Sequence, residues 1–323
     1  MLDWMTAGAI AVAMMQPQSA PPASAPPVQE PAAQSATILE DVVVEQRRLE
    51  EFVQDFVGQV AAPAPRRGLA RWQGGICVGV INLRNEAGQY IADRISRVGM
   101  DLGLTPGDPG CKPNIVVAFT ADGAELASSL VGRNRRAFRM GGSVNRDIVA
   151  LRAFETSDAP VRWWHVSIPV DSETGDRAIR LPGDVNPSTG QPSAPVISVF
   201  AASRLNSQIR DDMNKVMIIV DVDGMAATNL NQLADYLTFV ALAQVDPDAQ
   251  TAGYDTILNV FNAPQSVDGL TEWDMSYLSS LYRVQDAPQR RVNPAAQATS
   301  MASDMIRDRR AAQTAGEQPA PRE

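Results

Sequence analysis

Histidine occurs once in the 323 residues, at His165. That scarcity excludes HExxH zinc chemistry, multi-histidine metal centres and two-histidine acid/base pairs, each of which needs at least two imidazoles. A Ser-His-Asp triad stays arithmetically open, yet no GxSxG elbow presents a serine. His165 itself lies in an apolar run beside Trp163 and Trp164, where a packed or surface side chain is the simpler role. Lysine is nearly as rare, with Lys112 and Lys215 alone, so the basic charge is almost all arginine. Acidic residues still outnumber basic ones by 37 to 28, for a net charge of -9 and a pI near 4.8. That balance argues against nucleic acid or an anionic membrane as partner, because an acidic protein gains no counterion release from either.

Cysteine appears twice, as Cys77 in GGICVGV and Cys111 in DPGCKPN. The two are too far apart for a CxxC redox site, and a zinc site would need soft ligands that the chain lacks. No cofactor and no metal are therefore expected. A disulfide in an oxidising compartment and a pair of buried thiols both fit. The disulfide is favoured, since it closes a moderate loop and would contribute about 2 to 4 kcal/mol.

Long apolar runs are missing as well. Residues 7–15 (AGAIAVAMM) have the length of a signal-peptide h-region and are too short to span a bilayer as a helix. Against this, no Lys or Arg precedes Arg47, Asp3 occupies the n-region, and Pro21 and Pro26 follow the two most obvious cleavage points. Export to the periplasm or beyond is the expectation, with residues 1–20 as signal peptide and no membrane span after processing. Residues 21–37 are Pro/Ala-rich and have little to bury, which predicts a disordered spacer; residues 310–323 read as a similar tail. A single α/β domain is expected over residues 38–309.

Within it, residues 41–45 (DVVVE) read as a strand, and Leu49, Phe52, Val53, Phe56, Val57 and Val60 recur at helical spacing up to Pro63. Strands follow at 76–83 and 114–120, separated by a helix that carries Ala87, Tyr90, Ile91, Ile95 and Val98 and ends near Gly103, the pattern of a parallel βαβ unit. Residues 133–142 (RNRRAFRMGG) read as a basic loop, solvated in the simpler reading and an anion site in the sharper one. Strands are predicted at 161–170, 196–201 and 215–222, the last a continuous apolar run fit for burial on both faces. Beyond Ala227 only helices are expected, at 229–243, around 256–261, at 272–282 and at 295–309. The fold class is α+β: a mixed, partly parallel sheet across residues 41–222 with crossover helices, then a helical C-terminal third.

The sharpest local match is MIIVDVDGM, an apolar strand ending in Asp221-x-Asp223-Gly, which resembles the nucleophile motif of haloacid-dehalogenase-type phosphatases. That chemistry needs a basic residue downstream, usually lysine, and none follows Lys215; Met225 also replaces the usual threonine. A strand ending in a turn is the simpler reading. The acid pairs Asp211/Asp212, Asp221/Asp223 and Glu272/Asp274 leave carboxylate catalysis open without nominating it.

The run TILNVFNAPQSVDGLTEWDMSYLSSLY, with GLARW (Gly68 to Trp72) before a strand, resembles an alphaproteobacterial exported family of unknown function whose domain is a degenerate zinc metallopeptidase, zincin-like but without HExxH. The resemblance implies that residues 229–243 occupy the place of the zincin helix. Ala234, Asp235 and Thr238 then stand at the histidine, glutamate and histidine positions, a fold inherited without its metal. Taken without the resemblance, Asp235 is one acidic residue on an apolar helix. Together these readings lead to a non-catalytic, pseudopeptidase-like envelope protein that binds a peptide, protein or glycan; the alternative is a metal-independent hydrolase using paired carboxylates. Trp273, Tyr277 and Leu281, with Leu278 widening the stripe toward Tyr282, form either an aromatic ligand platform or, by spacing, the seam that docks their helix onto the sheet. Thr271 and Asp274 fit a capping box at that helix's start.

Overall fold

A computed structural model describes residues 35–63, 67–138, 148–179, 188–191, 209–225, 227–286 and 294–316. The chain divides into Met1–Val44, of which only residues 35–44 are described, as the start of a helix, and Glu45–Glu323, which carries everything below. Helix α1 (Ser35–Val60) buries Val53, Phe56, Val57 and Val60, the face read from its period. The strand expected at 41–45 is wrong: those residues are helical. Three valines favour a strand by propensity, but each costs only about half a kcal/mol in a helix, and elongating a helix already nucleated downstream is cheap.

The sheet begins at residue 75 and not at 41. After β1 (Gly75–Ile76) and β2 (Val78–Ile81), α2 (Asn85–Asp101) crosses over to β3 (Thr105–Pro106) and β4 (Ile115–Thr120). Then come α3 (Gly123–Arg133), the single turn α4 (Arg135–Phe138), α5 (Ile148–Thr156), β5 (Val161–Asp171) and β6 (Ile209–Asp221). The main sheet has the order β2-β4-β6-β5, parallel except for β5, which runs antiparallel to β6; β1 and β3 pair separately in parallel. The expected strand at 76–83 is thus two pieces, divided at Cys77. The expected strand at 196–201 lies outside the described residues.

Helices α3 and α5 were not foreseen, and the basic loop expected at 133–142 is a correction: Arg133 ends α3, and α4 turns Phe138 into a core. Residues 139–147 lie outside the described residues. The two faces of the sheet serve two clusters. Val117, Val216, Ile218, Val220, Val161 and Trp163 join α1, α2 and the C-terminal helices. Ile219, Trp164, Val166 and Ile168 join Ala127, Val131, Phe138, Leu151 and Phe154 of α3 to α5. Period-two alternation thus has both faces apolar, which is why β5 and β6 read as near-continuous apolar runs.

Helices α6 (Leu230–Leu242), α7 (Glu272–Asp286) and α8 (Pro294–Gly316) form the C-terminal third, with one 3-10 turn at Ile257–Asn259. Asn229 and Gln232 make a capping box that starts α6. Thr271 and Asp274 make the second: the Asp274 amide donates to Thr271 Oγ1 at 3.1 Å and the Thr271 amide to Asp274 Oδ2 at 3.0 Å. The mixed α+β class is as the sequence indicates.

Candidate functional site

β5 is the last strand of its sheet among the described residues. In antiparallel pairing, residues alternately face the partner strand and the free edge. The Val216 amide donates to the Asn114 carbonyl on the β4 side, and the Asp221 amide to the Pro160 carbonyl on the β5 side. Met217 and Ile219 therefore face β5, where their register partners are Trp164 and Arg162. The backbone N–H and C=O of Val161 and Trp163 point the other way, off the sheet edge, and meet no partner among the described residues.

A cavity of about 260 Å³ lies along this stretch. Its lining takes in residues 161–165 of β5, Phe154 of α5, Tyr236 of α6, the segment 244–249 and Phe261. Tyr236 and Phe261 meet edge to face at 4.8 Å, and Tyr236 lies 6.1 Å from Trp163. Burial drives the Tyr236 hydroxyl far above its usual range, so it stays protonated. Trp163 Nε1 donates to the Val245 carbonyl at 3.0 Å, and His165 Nε2 to the Val240 carbonyl at 2.8 Å. The carbonyl fixes which ring nitrogen carries the proton, so the one imidazole is a strut and holds no lone pair on Nε2 for a base or a metal.

Two lining residues keep unsatisfied donors. Trp164, 5% exposed, has an enclosed Nε1 with no partner. Arg162, also 5% exposed, has Nε and Nη1 enclosed without a hydrogen bond. Its guanidinium packs on Gly123, where any side chain would collide with it. Burial lowers the Arg162 pKa, and Asp221, Asp158 and Asp122 oppose that shift through space without pairing. Such orphaned groups are uncommon in folded proteins.

The positions that the zincin resemblance implied are elsewhere. Ala234 and Thr238 are fully buried, and Thr238 Oγ1 donates to the Ala234 carbonyl at 2.7 Å. Asp235 forms an ion pair with Arg94 of α2 and accepts from the Leu270 amide at 2.9 Å. It ties α6 to α2. Among the described residues no group of three His, Cys, Asp or Glu could hold a metal. Cys77 and Cys111 are disulfide-bonded, with Cα atoms 6.1 Å apart. Gly68 of GLARW donates its amide to Asp211, which also pairs with Arg67, and sits against Gln297 with no room for a Cβ.

The acid pairs also separate. Asp211 faces Arg67 and Asp212 faces Arg210. Asp221 accepts from the amides of Gly123 at 3.1 Å and Asp223 at 3.2 Å, the geometry of a turn. The Asp274 carboxyl is pushed up to about 6 by burial against four hydrogen bonds, and it does not line the cavity. Trp273, Tyr277, Leu281 and Tyr282 are buried, and the first two meet Phe56 of α1 edge to face. They form a seam that packs on α1, on α6 through Phe239 against Tyr277, and on α8 through Arg309 over Trp273.

Sequence reading missed the cavity because its walls come from segments as far apart as Ala62 and Asn262. One signal was available: an arginine inside the apolar run VRWWHV has no neighbour in sequence to pair with. No family model, no curated protein and no solved structure matches the chain. Among the described residues no helix is long and apolar enough to cross a membrane.

Proposed function

We propose that this is a non-catalytic exported protein, periplasmic or secreted, that binds an extended peptide segment along β5. The observation that carries this reading is the aromatic cavity along β5, beside which the backbone groups of the buried Val161 and Trp163 face away from β6 without a partner among the described residues. Edge N–H and C=O groups at alternate residues match a strand-shaped ligand, main-chain bonds give affinity, and the cavity takes an apolar side chain. A glycan has no matching period. The disulfide and the absence of a membrane-crossing helix among the described residues are compatible with export. The position of α6 after β6, with one 3-10 turn (Val222–Met225) between them, supports kinship with the degenerate zincin-like family, and Asp235, held by Arg94, supports a scaffold without metal chemistry. The alternative, a hydrolase using paired carboxylates, has two acids on the cavity wall, Asp246 and Asp248, but Asp246 Oδ1 accepts from the Asp248 amide at 3.0 Å, the geometry of a turn.

The test titrates N-acetylated, C-amidated hexapeptides of alternating apolar and polar residues, with chito-oligosaccharides as comparators, and follows amide hydrogen exchange. A binding peptide slows exchange at Val161 and Trp163. Val161→Pro removes one outward N–H that the ladder does not use, a substitution edge strands tolerate, and weakens peptide binding at least tenfold. Peptide binding without protection of β5 defeats the reading; turnover of the peptide favours the carboxylate hydrolase.

A further inference from the structure

A second cavity, of about 270 Å³, opens between α1, α7 and α8, remote in sequence from β5. Val53, Trp273, Met275 and Met305 make its walls apolar. Ser276 Oγ is enclosed there without a partner. Arg309 stacks on the Trp273 ring at 4.7 Å, is exposed, and meets no carboxylate within ion-pair distance among the described residues. Of the two acids on the lining, Asp308 is engaged by Arg283 through both oxygens, and Glu272 is exposed to solvent. Stacking holds the guanidinium plane while leaving its edge donors free, the posture in which arginine takes a carboxylate.

We propose that this cavity binds a small apolar monocarboxylate, a medium-chain fatty acid, with its chain against Trp273, Met275 and Met305 and its carboxylate on Arg309. The volume sits just below the usual range for ligand pockets, about 300 to 1,000 Å³, which suits one short chain and excludes a folded partner. A cationic or neutral ligand would leave Arg309 unused. The site stands apart from the β5 reading, and neither depends on the other. It also changes the role of Trp273, whose inner edge packs the core while its face, under Arg309, shapes a ligand seat.

The probes are hexanoate, octanoate and decanoate, with decanol and decyltrimethylammonium as controls, titrated into the full chain below micelle-forming concentrations. Tryptophan fluorescence is the readout, and Trp273→Phe assigns the signal to this site. Each added methylene, at about 0.8 kcal/mol, tightens binding about fourfold until the chain outgrows the cavity. Decanoate binds at least tenfold more tightly than decanol, and Arg309→Gln, an exposed substitution, erases that preference while leaving decanol affinity unchanged. Equal affinity for acid and alcohol overturns the proposal. So does a preference that survives Arg309→Gln, an affinity independent of chain length, or no binding of any probe.

Discussion

Asp274 and Arg162 are both buried groups that carry or can carry charge, and the chain treats them oppositely. Asp274, fully buried, accepts from Thr256 Oγ1 at 2.5 Å, the Ile257 amide at 2.8 Å, and the Thr271 amide and hydroxyl at 3.0 Å. Every donor is neutral, so burial wins and the carboxyl is pushed up to about 6. Arg162 has three carboxylates nearby and bonds to none of them. The first group closes a structural corner, where the loop after residue 255 is pinned to the start of α7. The second is unsatisfied beside a cavity. The difference separates polar burial that serves stability from polar burial that stability alone does not explain.

The largest expected effect that tests this contrast is at Asp274. Asp274→Ala strands the Thr256 hydroxyl, the Ile257 amide and the Thr271 amide, while the Thr271 hydroxyl keeps the Asp255 carbonyl as acceptor at 2.7 Å; at about 1 to 3 kcal/mol per stranded group the total loss is on the order of 4 kcal/mol. Denaturant melts measure it; a loss under about 1 kcal/mol would mean that the corner is held by packing alone.

The next effect is pH dependence. The folded carboxyl titrates near 6 against an ordinary value of 3.8, so the folded state holds the extra proton between those values. Stability from this group is complete below about pH 4, declines as pH rises to about 6, and is level above, a fall on the order of 3 kcal/mol. Asp274→Asn removes that slope. Unfolding free energies measured at half-unit steps from pH 4 to 7, wild type against variant, check it, and parallel curves would show that Asp274 does not carry the proton.

What the sequence made legible follows from local periodicity. The helical stripe of α1, the βαβ unit around Ile76 and Ile115, the run of β6 and the cap of α7 rest on spacing and residue type within a few turns. The helical state of residues 41–45 did not, because three β-branched residues outvoted a helix whose nucleus lies downstream. Nor did α3 and α5, where an acidic and basic surface hides a stripe of only Ala127, Val131, Leu151 and Phe154. The candidate site was illegible for a different reason. Which strand ends the sheet depends on β5 pairing with β6 and not with β4, a choice of register set by tertiary packing on both faces. The pairing of Asp235 with Arg94, 141 residues apart, likewise has no sequence signature.

The smallest effect is the most telling for the comparison. Replacing an unpaired buried charge by an apolar side chain of similar length removes a desolvation cost without removing a hydrogen bond. Arg162 has no hydrogen bond to lose, but Asp221, Asp158 and Asp122 lose a cation nearby. Asp158 and Asp122 are exposed, where charge interactions are weak, so desolvation dominates. Arg162→Met is therefore expected to stabilise the fold by about 1 kcal/mol, a rise in Tm of roughly 2 to 4 °C for a chain of this size. Asp274→Asn, by contrast, stays neutral while the wild-type carboxyl ionises, so its stability relative to wild type rises with pH and that of Arg162→Met does not; both variants are melted at pH 5 and pH 7.5. A loss of more than about 1 kcal/mol in Arg162→Met at either pH would show that the three carboxylates hold the guanidinium in place. The two buried groups would then be alike, and the orphaned donors on β5 would need no ligand to account for them.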